Sequence, residues 1–334
     1  MALLLSDLDV RRSIDYRQVI DALETCFAEQ AAGRVTHPER LNVAIEGTWM
    51  RLMPAVIPSL GIMGFKVYHG NPEYGARFLI ILSSMKGGEI LAAIDGIHLT
   101  AVRTAATGAV AAKHIAPRHA WRMAILGSGL EAETHCHAMT TINDISDIRV
   151  FSPNRARRTA FAVRMSSQLG IPVMACETAQ DAVHGAHHVV MATHTGAPGK
   201  IAYEARWLEQ GQHLASIGST NLRLRELDAR VVGLVDDLVF DVKADQVARE
   251  SADVSVFCAA GGSLARARWL PDLVASGSVG RKNDSAITLF KSVGSGVEDI
   301  VAAAQVYRAA STSGLGQRVG ELATLKLSPS AARG

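Results

Sequence analysis

The chain is short of aromatic residues (5%), of cysteine (four in 334 residues) and of net charge (+2 at neutral pH). A balance so near zero, with no lysine- or arginine-rich block, leaves no electrostatic footprint for nucleic acid. The four cysteines, Cys26, Cys136, Cys176 and Cys258, are scattered with no CxxC pair. That reads as buried or free thiols of a reducing cytoplasm and not as a disulfide framework. No apolar run approaches the roughly 20 residues needed to cross a bilayer. The opening MALLLSDLDVRRSIDY lacks the basic start and cleavage site of a secretory signal. Metal ligation is not expected either. His135 and His137 are two apart on a predicted helix, and His187, His188 and His194 have no carboxylate or cysteine at ligand spacing.

What is present is a packed globular composition, 48% apolar and 20% charged, at a length that suits two domains. YRQVIDALETCFAEQAAG, with Asp15 before it and Gly33 closing it, predicts an amphipathic helix. LNVAI, WMRLMPAVI, GIMGFKVYHG, ARFLIILSS and EILAAIDG then predict strands, with a hairpin at Gly87-Gly88. TAVRTAATGAVAAKHIA turns helical, its small residues suiting close packing. From Arg122 onward strands alternate with helices, which implies right-handed crossovers and a parallel sheet. SGVEDIVAAAQVYRAAS predicts a strong last helix, with Glu298-Asp299 as acids suiting its N-terminus, and ATLKLSPSAARG a frayed tail. Asp236, Asp237 and Asp241 read as a solvated sheet edge.

MAILGSGLEA carries the most specific local signal. Gly127-Ser128-Gly129-Leu130-Glu131-Ala132 fits G-x-G-x-x-A between a strand and a helix. The first glycine permits the tight turn and the second lets backbone approach a pyrophosphate. The small last residue lets helix and strand pack. The next strand ends at Phe151-Ser152, where an NAD enzyme usually has an acid for the ribose hydroxyls. Ser152, Asn154, Arg155 and Arg158 suit a 2′-phosphate instead, so NADPH is expected over NADH.

Together PERLNV, LMPA, GFKVY, LTAVRTAATGAVAA, GSGLEAETH, GSTNLRLRELD and FKSVGSGVEDIVAAA, spread from about Pro38 to Ala304, resemble the ornithine cyclodeaminase/mu-crystallin family. The resemblance implies an α/β protein in which a Rossmann-type, doubly wound parallel sheet (residues 119–302) is inserted in an α+β substrate-binding and dimerisation domain (residues 1–118 with 303–334). It implies a homodimer, a small α-imino or α-amino acid substrate, and Arg40, Lys66 and Arg103 on its carboxylate. Arg51 is a further clamp. Thr104, Thr193, Lys291, Ser292 and Gly294 are expected to join the glycine turn around the cofactor. Where cyclodeaminases carry an aspartate, this chain has Thr220, which cannot be a carboxylate base; Asp228 belongs to a structural RELD.

The expected reaction is therefore NAD(P)H-dependent reduction of an α-imino carboxylate such as 1-pyrroline-2-carboxylate or 1-piperideine-2-carboxylate, reversible in principle as an amino-acid dehydrogenase. Lys66 is the candidate proton donor, with Thr220 or water as a relay. Two alternatives stay open: an ornithine cyclodeaminase with recycled NAD, and a non-catalytic, crystallin-like binder.

Overall fold

The computed structural model describes residues 1–195, 199–218, 220–277 and 280–326. Contacts divide the chain into two units, one of Met1–Asp15, Gly33–Thr100 and Ser295–Gly334, the other of Tyr16–Ala32 and Ala101–Gly294. This contact division runs at other points than 1–118 with 303–334 against 119–302. From residue 327 the expected frayed tail lies outside the described residues.

Labels run in chain order. The first unit holds β1 (Ala2–Leu5), α1 (Asp7–Ser13), β2 (Leu41–Ile45), β3 (Thr48–Ile57), β4 (Ile62–Asn71), β5 (Gly75–Ser84), β6 (Ile90–Asp95), α11 (Gly296–Ser313) and β15 (Gln317–Val319). The five expected strands are β2 to β6. They form an antiparallel ladder that continues through β1 to β15 in the order β15-β1-β6-β5-β4-β3-β2, with β1 parallel to β6. α1 starts from a capping box: Ser6 Oγ accepts from the Asp9 amide and Asp9 Oδ2 accepts from the Ser6 amide. Strand alternation sends Met53, Ala55, Ile57, Ile80 and Leu82 to the face that α11 covers. Gly296 lets α11 approach β3, because a Cβ there would stand 2.5 Å from the Pro54 carbonyl oxygen. The other face carries Leu41, Val43, Ile45, Met50, Met63 and Leu79, all exposed.

The second unit holds α2 (Tyr16–Ala31), most of α3 (Ile97–Ile115), β7 (Trp121–Leu126), α4 (Leu130–Ile142), β8 (Ile145–Phe151), α5 (Arg155–Leu169), β9 (Val173–Ala175), α6 (Ala179–Val183), β10 (His188–Met191), β11 (His213–Ser216), α7 (Arg230–Leu234), β12 (Asp237–Phe240), α8 (Ala244–Glu250), α9 (Ala252–Ala259), β13 (Arg268–Trp269), α10 (Leu270–Ala275) and β14 (Thr288–Lys291). Among the described residues its eight strands are all parallel, in the order β13-β12-β14-β11-β10-β7-β8-β9. The chain leaves β7 in one direction through β8 and β9 and in the other through β10. Crevices at such a reversal, beyond the carboxyl ends of the strands, are where open α/β sheets bind ligands. α2 packs on α10 and α4, and Thr134 Oγ1 donates to the Ala101 carbonyl, which is why α2 and most of α3 group with this sheet.

Candidate functional site

In the first unit Arg40, Arg51 and Lys66 lie around Tyr68, while Arg103, expected with them, belongs to the second unit. β4 presents Lys66 and Tyr68, two residues apart, on the face toward α11. Lys66 is 1% exposed, and its Nζ donates to Asp299 Oδ1 at 2.8 Å from the first turn of α11. A bare ammonium at that depth would be costly, so the carboxylate is what permits it. Asp299 therefore does more than complement the helix N-terminus. The sequence held the signal: Glu298 and Asp299 stand between Val297 and Ile300 in a helix apolar on nearly every side, so both acids are buried. Beside this pair, Arg51 Nη1 donates to Tyr68 Oη at 3.1 Å and Arg40 Nη1 does so at 3.4 Å. Phe78 stacks on the Tyr68 ring at 5.0 Å and Trp49 meets it edge-on at 5.4 Å. Burial pushes the phenol up, but the charges of Arg40, Arg51 and Lys66 and the Arg51 hydrogen bond outweigh it and hold Tyr68 below the ordinary tyrosine value.

In the second unit the glycine turn leaves β7 as expected. Gly127 has φ +124°, and a Cβ there would lie 2.2 Å from the Ala192 carbonyl oxygen, so glycine alone fits. Gly129 caps α4, and nothing stands within 4 Å of where its Cβ would be. That open space over a helix N-terminus fits a dinucleotide pyrophosphate. Leu130 and Glu131 begin α4, and Ala132 is fully buried. Ser128 and Ser152 share a hydrogen bond at 2.8 Å, tying the turn to the end of β8. Asn154 caps α5 through the Arg157 amide. The two arginines differ. Arg155 is exposed, whereas Arg158 is 4% exposed, donating to the Ser152 carbonyl at 3.2 Å and to Glu177 Oε2 at 2.5 Å. Arg103 and Thr104 are buried in α3, and Gly294, at φ +82°, has no room for a Cβ because the Arg103 guanidinium lies 2.9 Å away. Thr220 follows β11, half-buried.

Two buried carboxylates organise the strand ends. Glu226 is 1% exposed and takes four donors: the Thr193 amide (2.8 Å) and hydroxyl (3.0 Å), the Ser216 hydroxyl (2.9 Å) and the Gly218 amide (2.7 Å). Burial raises its pKa, and that of Asp253 beside it, against the pull of Lys291. Lys291 is itself fully buried, its Nζ 3.6 Å from Asp253, 3.9 Å from Glu226 and 3.1 Å from Ser216 Oγ. It braces the loops from beneath instead of facing outward. Asp241, read from the sequence as a solvated edge, is 1% exposed and accepts from Ser292 Oγ and from the Val293 and Gly294 amides. Edge strand β13 covers it, through the Trp269 indole N–H to the Asp241 carbonyl.

At the opposite, amino ends of the strands, His188 and His213 are fully buried 4.8 Å apart, and His188 stacks on Trp121. Burial lowers His135 to about 4, His188 to about 3 and His213 well below its ordinary value, so all three are neutral. Among the described residues no group of His, Cys, Asp or Glu is arranged to hold a metal, and no helix is long and apolar enough to cross a membrane.

A parallel sheet with a glycine turn at its reversal, joined in one chain to a unit that concentrates cations around a buried tyrosine, defines a dinucleotide-binding protein of the dehydrogenase type. The family model of the ornithine cyclodeaminase/mu-crystallin family matches residues 1–314, and the chain belongs to that family. The Delta(1)-pyrroline-2-carboxylate reductase of Bacillus cereus is 28% identical over 328 residues, 95% of this chain and 99% of that protein. Ketimine reductase mu-crystallin of Rattus norvegicus is 29% identical over 301 residues, 86% and 90% of the two chains. The structure of Thermococcus litoralis Delta(1)-pyrroline-2-carboxylate reductase in complex with NADH and L-proline superposes with a TM-score of 0.88 at 31% identity, covering 95% of this chain and all of that one.

Proposed function

We propose that this protein is an oxidoreductase that reduces a cyclic α-imino carboxylate to the L-amino acid with a nicotinamide dinucleotide, and that the same site supports the reverse reaction as an amino-acid dehydrogenase. The observation that carries the reading is the convergence of Arg40, Arg51 and Lys66 on one buried spot of the first unit. Guanidiniums grip a carboxylate through paired donors, and the Lys66 ammonium, fixed by Asp299, adds a point charge. The second unit holds the dinucleotide at Gly127, Ser128, Gly129 and the amino end of α4, with Thr193, Ser292 and Gly294 on the nicotinamide side. Arg103 is a further cation for an anionic ligand. When bound, the dinucleotide supplies the hydride. Relatives named as pyrroline-2-carboxylate and ketimine reductases support the substrate class.

NADPH is the preferred cofactor in this reading. Ser152, Asn154 and the exposed Arg155 offer donors to a 2′-phosphate, while Arg158 holds the Ser152 backbone in place. Thr220 leaves the cyclodeaminase reaction without its carboxylate base. The protein works as a cytoplasmic homodimer, supported by four free thiols and by the exposed apolar face of the first sheet.

The test is loss of reduced-nicotinamide absorbance with purified protein, NADPH or NADH, and 1-pyrroline-2-carboxylate, 1-piperideine-2-carboxylate or pyruvate with ammonia. Oxidation with a cyclic imine, faster with NADPH, is the expected result. Proline and ammonia from ornithine, with no imine turnover, would overturn it in favour of a cyclodeaminase.

A further inference from the structure

The reduction needs a proton at the imine nitrogen, and the first unit contains a group better placed to give it than Lys66. The Lys66 ammonium is bound to the buried Asp299 carboxylate at 2.8 Å, and transferring its proton would remove a positive charge that balances that anion in the core. Tyr68 is differently situated. Its hydroxyl oxygen accepts from the guanidiniums of Arg40 (3.4 Å) and Arg51 (3.1 Å), and Lys66 Nζ lies 5.1 Å from its ring centre. Two donors on one phenol oxygen occupy its acceptor directions, so its own hydrogen is turned away from both and is free to donate. A phenolate formed there would face three cations, while the neighbouring carboxylate of Asp299 is engaged by Lys66.

The imine nitrogen is bonded to the carbon that bears the carboxylate. A donor set among carboxylate-binding cations is therefore within reach of it. We infer that Tyr68 is the acid of the reaction, its hydroxyl protonating the imine nitrogen of a substrate whose carboxylate is held by the arginines around it. This rests on the imino-acid reductase reading. In the step, the nitrogen lone pair takes the phenol hydrogen. The C=N carbon then accepts a hydride from a reduced nicotinamide dinucleotide, which leaves oxidised, and the π pair returns to nitrogen as a lone pair. The phenolate, compensated by Arg40, Arg51 and Lys66, recovers its proton from water.

Tyr68→Phe is the test, because it keeps the ring that stacks on Phe78 and removes only the hydroxyl. With 1-pyrroline-2-carboxylate and NADPH, kcat is expected to fall about 100-fold or more, and the alkaline limb of its pH profile to disappear. KM for the imine should change by less than about tenfold. Wild-type minus variant ultraviolet titration, which needs no turnover, should show a phenolate appearing below the pH range of ordinary tyrosines. A kcat loss under about tenfold, a loss carried wholly by KM, or a phenolate appearing only in the ordinary range would each overturn the assignment. A wild-type protein that reduces no imino acid would instead overturn the functional reading itself.

Discussion

The Lys66–Asp299 pair is the residue-scale feature on which the first unit turns. The partners are 233 residues apart in sequence and both are buried, so neither can lose the other without leaving a charge in the core. Lys66→Met should lower stability by roughly 3–5 kcal/mol, the cost of breaking such a pair by removing one side. The double variant Lys66→Met/Asp299→Asn should recover most of that loss in a denaturant melt, because it removes the stranded anion as well. Its KM for the imino acid should stay raised, since the point charge is gone. Recovery of stability and of KM together would show that Lys66 serves packing alone. Lys66 stood out in the sequence from its apolar surroundings, whereas Asp299 read only as an acid suiting the start of the last helix; what the sequence could not carry was their meeting. The same holds for Arg40 and Arg51, whose shared partner Tyr68 emerges only from the β3–β4 register that sets Arg51 opposite it.

Among elements, the strand–turn–helix of the glycine motif was fully legible, because its constraints are local. Gly127 must turn at φ +124° and must leave 2.2 Å between a would-be Cβ and the Ala192 oxygen, so Gly127→Ala forces β7 and β10 apart at their carboxyl ends. Dinucleotide affinity, measured by quenching of protein fluorescence, should fall about 5- to 150-fold, from strain of about 1–3 kcal/mol delivered to the phosphate turn. An unchanged affinity would mean that the turn does not hold the pyrophosphate. The loops after β10, β11 and β14 were not legible in the same way. Their order comes from Glu226 and Asp241, acids whose burial is decided by which strands lie beside them. The sequence reading took Asp241 for a sheet edge because β13, the two-residue strand that closes over it, carries no strand signal of its own. Thr193 follows β10, and the carboxylate that fixes it stands 33 residues further on.

For the whole molecule, the sheet of the first unit leaves Val43 and Ile45 exposed at 48% and 72%, on the face that also carries Leu41, Met50 and Leu79. Val43→Glu with Ile45→Glu should convert the proposed dimer to monomer in light scattering without unfolding it, since neither side chain is buried; an unchanged mass would exclude this face as the interface. A second property is spread over the second unit. His135, His188 and His213 are neutral in the fold but would protonate near their ordinary value of 6.5 once unfolded. Between 6.5 and about 4 the unfolded chain therefore binds more protons than the native one, so stability falls as pH falls through that window, each group adding about 1.4 kcal/mol per pH unit. Glu226 and Asp253 act in the opposite sense: their raised values let the native state hold protons that the unfolded chain releases, which favours the fold on the acid side. His188 separates the two contributions, because neither of its ring nitrogens has a hydrogen-bond partner among the described residues and its ring stacks on Trp121. His188→Phe keeps the stacking ring and removes the titration. The melting temperature of the variant should drop less between pH 6.5 and 5 than that of the wild type, by the share that one histidine contributes, while the Glu226 and Asp253 contribution stays as it was. Parallel melting curves for the two proteins would show that His188 is already protonated in the fold, and that the buried histidines do not set the acid limit.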